Sequence, residues 1–336
     1  MNDPGLLPYK LDLPARRVLW LRLNAAQRED AAFLDERALP ANAEGGWAPL
    51  ASLLDGPGDA RQPAAAIFHI GHCGSTLLSR VLDSWPDVQG LREPLPLRTL
   101  AEAWPIRALP QSRLSPAETE QLLRALWTRW SQALPPRTRS VVKATSSCNG
   151  LVAPLLSLTA AKVILLDMPL RTYLATLLKS PNSVLDAANA AGERLQDLHA
   201  RGLGDGHALH AMSLPEQCAM GWLAEQLRFD ALMRGEHGER VVRVDFERLL
   251  AQPELVLQEV ATHFALDPAG IAHALRSPAW QRYSKAQAHD YGRDDRAHDL
   301  ALAAQRHAEE IAAGVAWVER FMQRHAELRS LLDRAS

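Results

Sequence analysis

The sequence predicts an α/β protein: a parallel sheet flanked by helices, preceded by a small N-terminal extension. Three observations lead there. Four short apolar runs, at 64–70, 140–145, 161–167 and 239–246, alternate with stretches of helical period. The first of them runs directly into a glycine-bracketed loop and a helix, "AAAIFHIGHCGSTLLSRVLDSW" (64–85). A connection rich in Gly, Pro and Asp, "DGPGDARQP" (55–63), sets residues 1–60 apart from a main body at 61–336.

Within the extension, "RVLWLRL" (17–23) reads as a strand, 25–39 as a helix and "GWAPLASLL" (46–54) as a short helix. In the main body, residues 64–70 form a short apolar run ending at Gly71, as a buried parallel strand does. Apolar residues at 77, 78, 81, 82 and 85 then keep a helical period. Helices follow at 95–104 and 116–132, strands at 140–145 and 161–167, and helices at 170–180 and 181–201. Pro215 opens an amphipathic helix over 215–234. The strand at 239–246 precedes helices at 253–264 and 268–275, and a polar loop (289–299) enters a long helix reaching about 330.

Composition narrows the function classes. The chain has 336 residues, 47% hydrophobic and 23% charged, with a formal net charge of −2. A general nucleic-acid binder is more basic than that, so any anion site must be a local gathering of His, Arg and Lys. Three cysteines make neither a disulfide framework nor a CxxC metal pattern, and a reducing, cytoplasmic setting is expected. No apolar run has the length of a membrane span, and "MNDPGLLPYKLDLPARR" has no signal-peptide core. The twelve histidines show no HExxH or other ligand spacing, so no metal is expected.

The loop at 71–76 carries the chemistry. Phosphate cradles work because successive backbone N–H groups point into one concavity beside a helix N-terminus. The nucleoside-triphosphatase form is GxxxxGK[ST]; here Gly74 holds the second glycine position, Ser75 stands at the lysine, and His69 lies five before Gly74. The pattern does not fit an ordinary nucleoside triphosphatase, and a ligand-free strand-to-helix turn stays open. Cys73 sits where a helix N-terminus lowers a thiol pKa. A cysteine phosphatase needs C-x5-R, however, and Arg80 comes one position late.

"GHCGSTLLSRVLDSWPDVQGLREP" (71–94) resembles the sulfotransferase family, whose loop reads P-[RK]-S-G-[ST]-T before L-[LM]-x-x-x-L-D-x-H-P-x-V and a glutamate. Gly71, His72 and Cys73 stand at the proline, basic and serine positions, and Gly74, Ser75 and Thr76 match directly. Further on, "VVRVDFERLLAQPELVLQEVATHFAL" (241–266) resembles the family's late V-x-x-[VL]-x-Y-E-D-L-x-x-[DN]-P-x-x-x-L, with Phe246, Glu247, Leu249, Pro253 and Leu257 in place. "VVKAT" resembles the E-K-[ST]-P strand at Lys143. The resemblance covers roughly 64–266 and implies a three-layer P-loop sulfotransferase-like fold.

It also implies sulfuryl transfer from 3′-phosphoadenosine 5′-phosphosulfate (PAPS) to a hydroxyl or amine of a small molecule or peptide, leaving adenosine 3′,5′-bisphosphate. Glu93 would be the base and His72 the stabiliser of leaving-group charge, with Gly71, Cys73, Gly74, Ser75 and Thr76 holding the 5′-phosphate. Lys143 would reach a phosphate or shape the acceptor pocket, unless it forms a structural ion pair. A salt bridge to Arg92 or another surface basic group is the plain alternative for Glu93. The 3′-phosphate motif R-[DN]-P-x-x-x-x-x-S departs most, since Asp167 takes the arginine position and Ala175 the serine, with Pro169 matched. Arg171 and Thr176 supply a guanidinium and a hydroxyl if the helix enters one residue out of register; otherwise that phosphate binds elsewhere. Lys285 and Arg293, in the basic segment 282–296, are the nucleotide-covering candidates. A nucleotide-dependent phosphotransferase and a non-catalytic ligand- or partner-binding protein stay as alternatives.

Overall fold

The structure, a computed structural model, describes residues 3–40, 42–55, 62–284, 286, 288–325 and 328. A five-stranded parallel sheet forms its centre: β4 (Ala65–His69), β5 (Val88–Arg92), β6 (Arg139–Lys143), β7 (Val163–Asp167) and β8 (Val241–Asp245), in spatial order β5-β6-β4-β7-β8. An N-terminal antiparallel sheet precedes it, made of β1 (Leu6–Asp12), β2 (Arg17–Arg22) and β3 (Gly45–Pro49). The helices are α1 (Ala25–Asp30), α2 (Ser75–Leu82), α3 (Leu95–Ala103), α4 (Pro116–Trp130), α5 (Val152–Leu158), α6 (Leu170–Leu178) and α7 (Pro181–Ala200). They continue with α8 (Leu214–Arg234), α9 (Phe246–Ala251), α10 (Pro253–Phe264), α11 (Ile271–Leu275), α12 (Arg293–Arg306) and α13 (Ala308–Arg324).

The four expected strands are present, and β4 is central. From β4 the chain leaves toward β5, and from β7 it leaves toward β8, on the opposite side. The crevice between the carboxyl ends of β4 and β7 is thus the topological switch point, where open α/β sheets bind ligands.

Several elements differ from the sequence reading, each for a visible reason. β5, "VQGLR", is a fully buried strand that its polar residues concealed. Its Arg92 is buried because the guanidinium meets Asp83 and the carbonyls of Arg28, Glu29 and Ala31. Those carbonyls belong to the end of α1, so the helix expected over 25–39 stops at Asp30 and resumes as a short 3₁₀ turn at Glu36–Ala38. β1 contains Pro8, which argues against a strand; it is accommodated where the register with β2 shifts, between Pro8 and Lys10. The helix expected at 46–54 is instead β3 and a 3₁₀ turn, because the free edge of β2 offers a ladder to Gly45–Pro49. The final helix breaks at His307 into α12 and α13; its expected end near 330 falls largely outside the described residues.

The N-terminal layer packs through β1 on α3 and α4. Buried Arg28 fastens it from within, donating to the Leu23 carbonyl at 3.1 Å and the Pro4 carbonyl at 2.7 Å. Among the described residues no helix is long and apolar enough to cross a membrane.

Candidate anion site at the carboxyl end of the sheet

β4 hands over to α2 through a loop with three left-handed residues: Gly71 at φ 90°, His72 at φ 52° and Gly74 at φ 78°. Two anchors hold it. The Gly71 N–H donates to His69 Nδ1 at 3.0 Å, and His69 Nε2 lies 2.9 Å from the Ala144 carbonyl. His69 is therefore the tautomer with its proton on Nε2. At Gly74 the second anchor is steric: a Cβ there would collide with the ring of Phe246, the first residue of α9. Only glycine satisfies both that closeness and the positive φ.

The geometry leaves donors open. The backbone N–H groups of Cys73, Gly74, Ser75, Thr76 and Leu77 have no acceptor among the described residues, and neither do the Ser75 and Thr76 hydroxyls. Ser75 and Thr76 are nevertheless buried. With Gly74 and Leu77 half-buried and Cys73, Ser75 and Thr76 buried, this run of open donors at a helix N-terminus has the geometry to receive an anion.

Two further residues flank His72. Its Nδ1 lies 3.2 Å from Ser183 Oγ and its Nε2 lies 3.4 Å from an Asp186 carboxylate oxygen, both on α7. Cys73 turns the other way. Its Sγ meets the Leu166 carbonyl at 3.3 Å, and burial, aided by Asp167, pushes the thiol up to about 12. The expectation of a lowered thiol pKa at this helix end is corrected: desolvation outweighs the helix dipole.

Glu93 follows β5 and is also left-handed, at φ 53°. Among the described residues only four non-glycines have positive φ, and Glu93 and His72 are two of them. Such strain is retained where function or packing over-determines the backbone. The Glu93 N–H donates to the Lys143 carbonyl at 2.7 Å, and its carboxylate forms an ion pair with the buried Lys143 ammonium. Arg92 is engaged by Asp83 instead. Lys143 Nζ also lies 5.7 Å from the centre of the Phe33 ring, and the Leu34 N–H donates to the Arg92 carbonyl at 2.7 Å. The N-terminal layer therefore borders this carboxylate.

The 3′-phosphate candidates are dispersed. Asp167 does not face outward alone: Arg243 Nε donates to it at 2.7 Å, Gln226 Nε2 at 3.3 Å, and Arg243 Nη1 donates to Asp230 at 2.9 Å. Burial pushes the Asp167 carboxyl above its ordinary range, against the pull of Arg243. Arg171 is exposed with no partner among the described residues, whereas the Thr176 hydroxyl donates back to the Thr172 carbonyl at 2.8 Å. Five residues of helix separate the two by roughly 140° around α6, so they face different ways.

Arg293 opens α12, exposed and likewise without a partner among the described residues, while Lys285 lies outside them. Residues flanking the segment between these two are tied to the body of the fold. Arg80 of α2 donates to the Ser284 carbonyl at 2.8 Å, and Arg296 pairs with Glu247 while lying 5.0 Å above the Phe246 ring. Among the described residues no group of three or more His, Cys, Asp or Glu is arranged to hold a metal ion.

Sequence reasoning missed Ser183, Asp186, Phe33 and Arg243. Ser183 and Asp186 share a helix face through their i, i+3 spacing, but nothing in sequence ties that face to His72.

No family model matches the chain, and no curated protein does. Solved structures to which it is similar include the sulfotransferase domain from the curacin biosynthetic pathway, at 13% identity and a TM-score of 0.42, over 79% of this chain and 98% of that one. Another is the sulfotransferase domain from the Synechococcus PCC 7002 olefin synthase, at 15% identity and a TM-score of 0.40, over 75% and 97%. A third is mouse sulfotransferase SULT7A1 complexed with PAP, at 11% identity and a TM-score of 0.36, over 72% and 74%. At such scores none of these likenesses bears on the site, whose residues stand on their own geometry.

Proposed function

We propose that the chain is a sulfotransferase-like enzyme that takes PAPS as donor and transfers its sulfuryl group to a hydroxyl or amine of a small molecule or peptide. One observation carries the reading: the open row of donors from Cys73 to Leu77, with the Ser75 and Thr76 hydroxyls, in a loop that resembles the family's and lies at the switch point of a parallel sheet. A phosphate fits such a row because each N–H is left with its acceptor to find.

Bound PAPS would supply the sulfuryl group; the chain's own residues supply position and charge. Ser75, Thr76 and the loop N–H groups hold the 5′-phosphate. His72 stabilises negative charge on the departing oxygen, and Glu93 takes the acceptor's proton, its carboxylate aimed by Lys143. Arg171 and Arg293, both exposed, are assigned to the 3′-phosphate side. The N-terminal extension, residues 1–60, borders Glu93 through Phe33 and contributes to the acceptor side. Three unpaired cysteines suit work in the cytoplasm. Asp167, on the strand beside β4, is engaged by Arg243, and no observation favours a phosphotransferase.

Thermal shift tests this. Stabilisation by adenosine 3′,5′-bisphosphate but not by ATP or GTP is expected. A response to ATP or GTP alone would move the assignment to nucleotide-dependent phosphoryl transfer, and no response to any of the three would leave a non-catalytic protein.

A further inference from the structure

We propose that Ser183 and Asp186 are positioning residues for His72, and that the three together give the cradle a cation switched by a proton, which an incoming anion brings on. The inference rests on the cradle reading above and concerns the residue that stands where a fixed cation is expected.

Both ring nitrogens of His72 have a partner on one helix. Ser183 Oγ lies 3.2 Å from Nδ1 and an Asp186 oxygen 3.4 Å from Nε2. The two residues are three apart on α7, so they project from one face and reach the ring from one side. Ser183 is buried while Asp186 is largely exposed, so the pair clasps the ring from within and from the solvent edge. The clasp matters because His72 has a left-handed backbone, at φ 52°, which an unsupported side chain would gain nothing by keeping.

Tautomer chemistry follows from the partners. The Asp186 carboxylate lies beside Nε2 without hydrogen-bond geometry, so it favours positive charge on the ring. Ser183 is different, because a hydroxyl both donates and accepts. With Nδ1 bare, Ser183 donates to it and the ring is neutral. With Nδ1 protonated, Ser183 turns and accepts, and the ring is an imidazolium with the Asp186 carboxylate beside Nε2. The clasp therefore holds either form in one orientation. An anion in the adjacent cradle stabilises the charged form, and a proton enters from the solvent as the anion binds.

The other groups near the loop are engaged elsewhere. His69 is fixed by Gly71 and Ala144, and Cys73 turns its thiol to the Leu166 carbonyl. Asp167 is held by Arg243, and Arg194 of α7 by Glu225 and the Ser146 carbonyl.

Proton uptake reads this directly. Titration calorimetry with adenosine 3′,5′-bisphosphate is run in two buffers of different ionisation heat, on the wild type and on His72→Asn, Asp186→Asn and Ser183→Ala. Asparagine tolerates the left-handed backbone, so the loop is kept. The wild type should take up up to one proton more than His72→Asn, which cancels the ligand's own titration. Asp186→Asn should shrink that excess and weaken binding roughly tenfold, with the loss growing as pH rises. Ser183→Ala should show the same change to a smaller degree, with thermal midpoints unmoved. Equal uptake by the wild type and His72→Asn overturns the inference, as does an Asp186→Asn profile parallel to the wild type. If the wild type binds inorganic pyrophosphate but not the bisphosphate, the donor assignment fails, and the same comparison with pyrophosphate decides this inference separately. Binding of neither overturns both.

Discussion

Two neighbouring strands of one sheet, β4 and β7, end in polar residues and use them in opposite ways. Beyond β4, five backbone N–H groups and two hydroxyls are left open among the described residues. At the end of β7, Asp167 closes on Arg243 of β8, which also holds Asp230, while Gln226 completes the set. The strands lie about 4.8 Å apart, so the contrast is not one of depth or of distance from solvent. Polar groups that satisfy one another are structure; polar groups held in place and left unsatisfied are available to a ligand.

The largest effect expected from this contrast is on the closed side. Arg243→Met leaves the Asp167 and Asp230 carboxylates without their buried cation and should lower unfolding free energy by about 3–5 kcal/mol in urea titration. A loss under 1 kcal/mol would mean the network is not closed. On the open side, Gly74→Ala must push a Cβ into Phe246 with a left-handed backbone, and should cost roughly 2–4 kcal/mol together with loss of bisphosphate binding. That substitution breaks the contrast if binding survives.

Glu93→Gln separates chemistry from binding. Turnover should fall by about 10²–10⁴ with bisphosphate affinity kept, because a general base is lost and the cradle is not. Unchanged turnover removes Glu93 as base. Ser75→Ala and Thr76→Val should each weaken bisphosphate binding by roughly five- to tenfold and shift the urea midpoint negligibly, since these hydroxyls have no internal partner to lose. An equal loss in stability and in affinity would place them with the structural groups.

The smallest effect concerns Cys73, which belongs to the loop in sequence and to the core in space. Its thiol is pushed from 9.0 to about 12, so the folded state keeps a proton that the unfolded chain has lost. Its contribution to stability is complete below pH 9 and is lost as pH rises toward 12. Cys73→Ala should flatten that alkaline decline in the urea midpoint, and the native thiol should resist iodoacetamide at pH 8.

The sequence by itself determined the sheet's apolar strands, the strand–loop–helix at 64–85 and the glycine at 74, because burial and left-handed backbone restrict residue type locally. Ser75, Thr76 and Glu93 were singled out by the resemblance of 71–94 to the sulfotransferase loop motif. β5 was not legible, since its Arg92 is buried only through Asp83 and through carbonyls some sixty residues earlier in the chain. Nor could spacing reveal that Glu93 faces Lys143, that Asp167 is silenced by Arg243, or that α7 brings Ser183 and Asp186 to His72. Local pattern records what each residue requires of its own backbone. Which charges end up paired, and which are left for a ligand, is decided only when distant segments meet in a medium where an unpaired charge is costly.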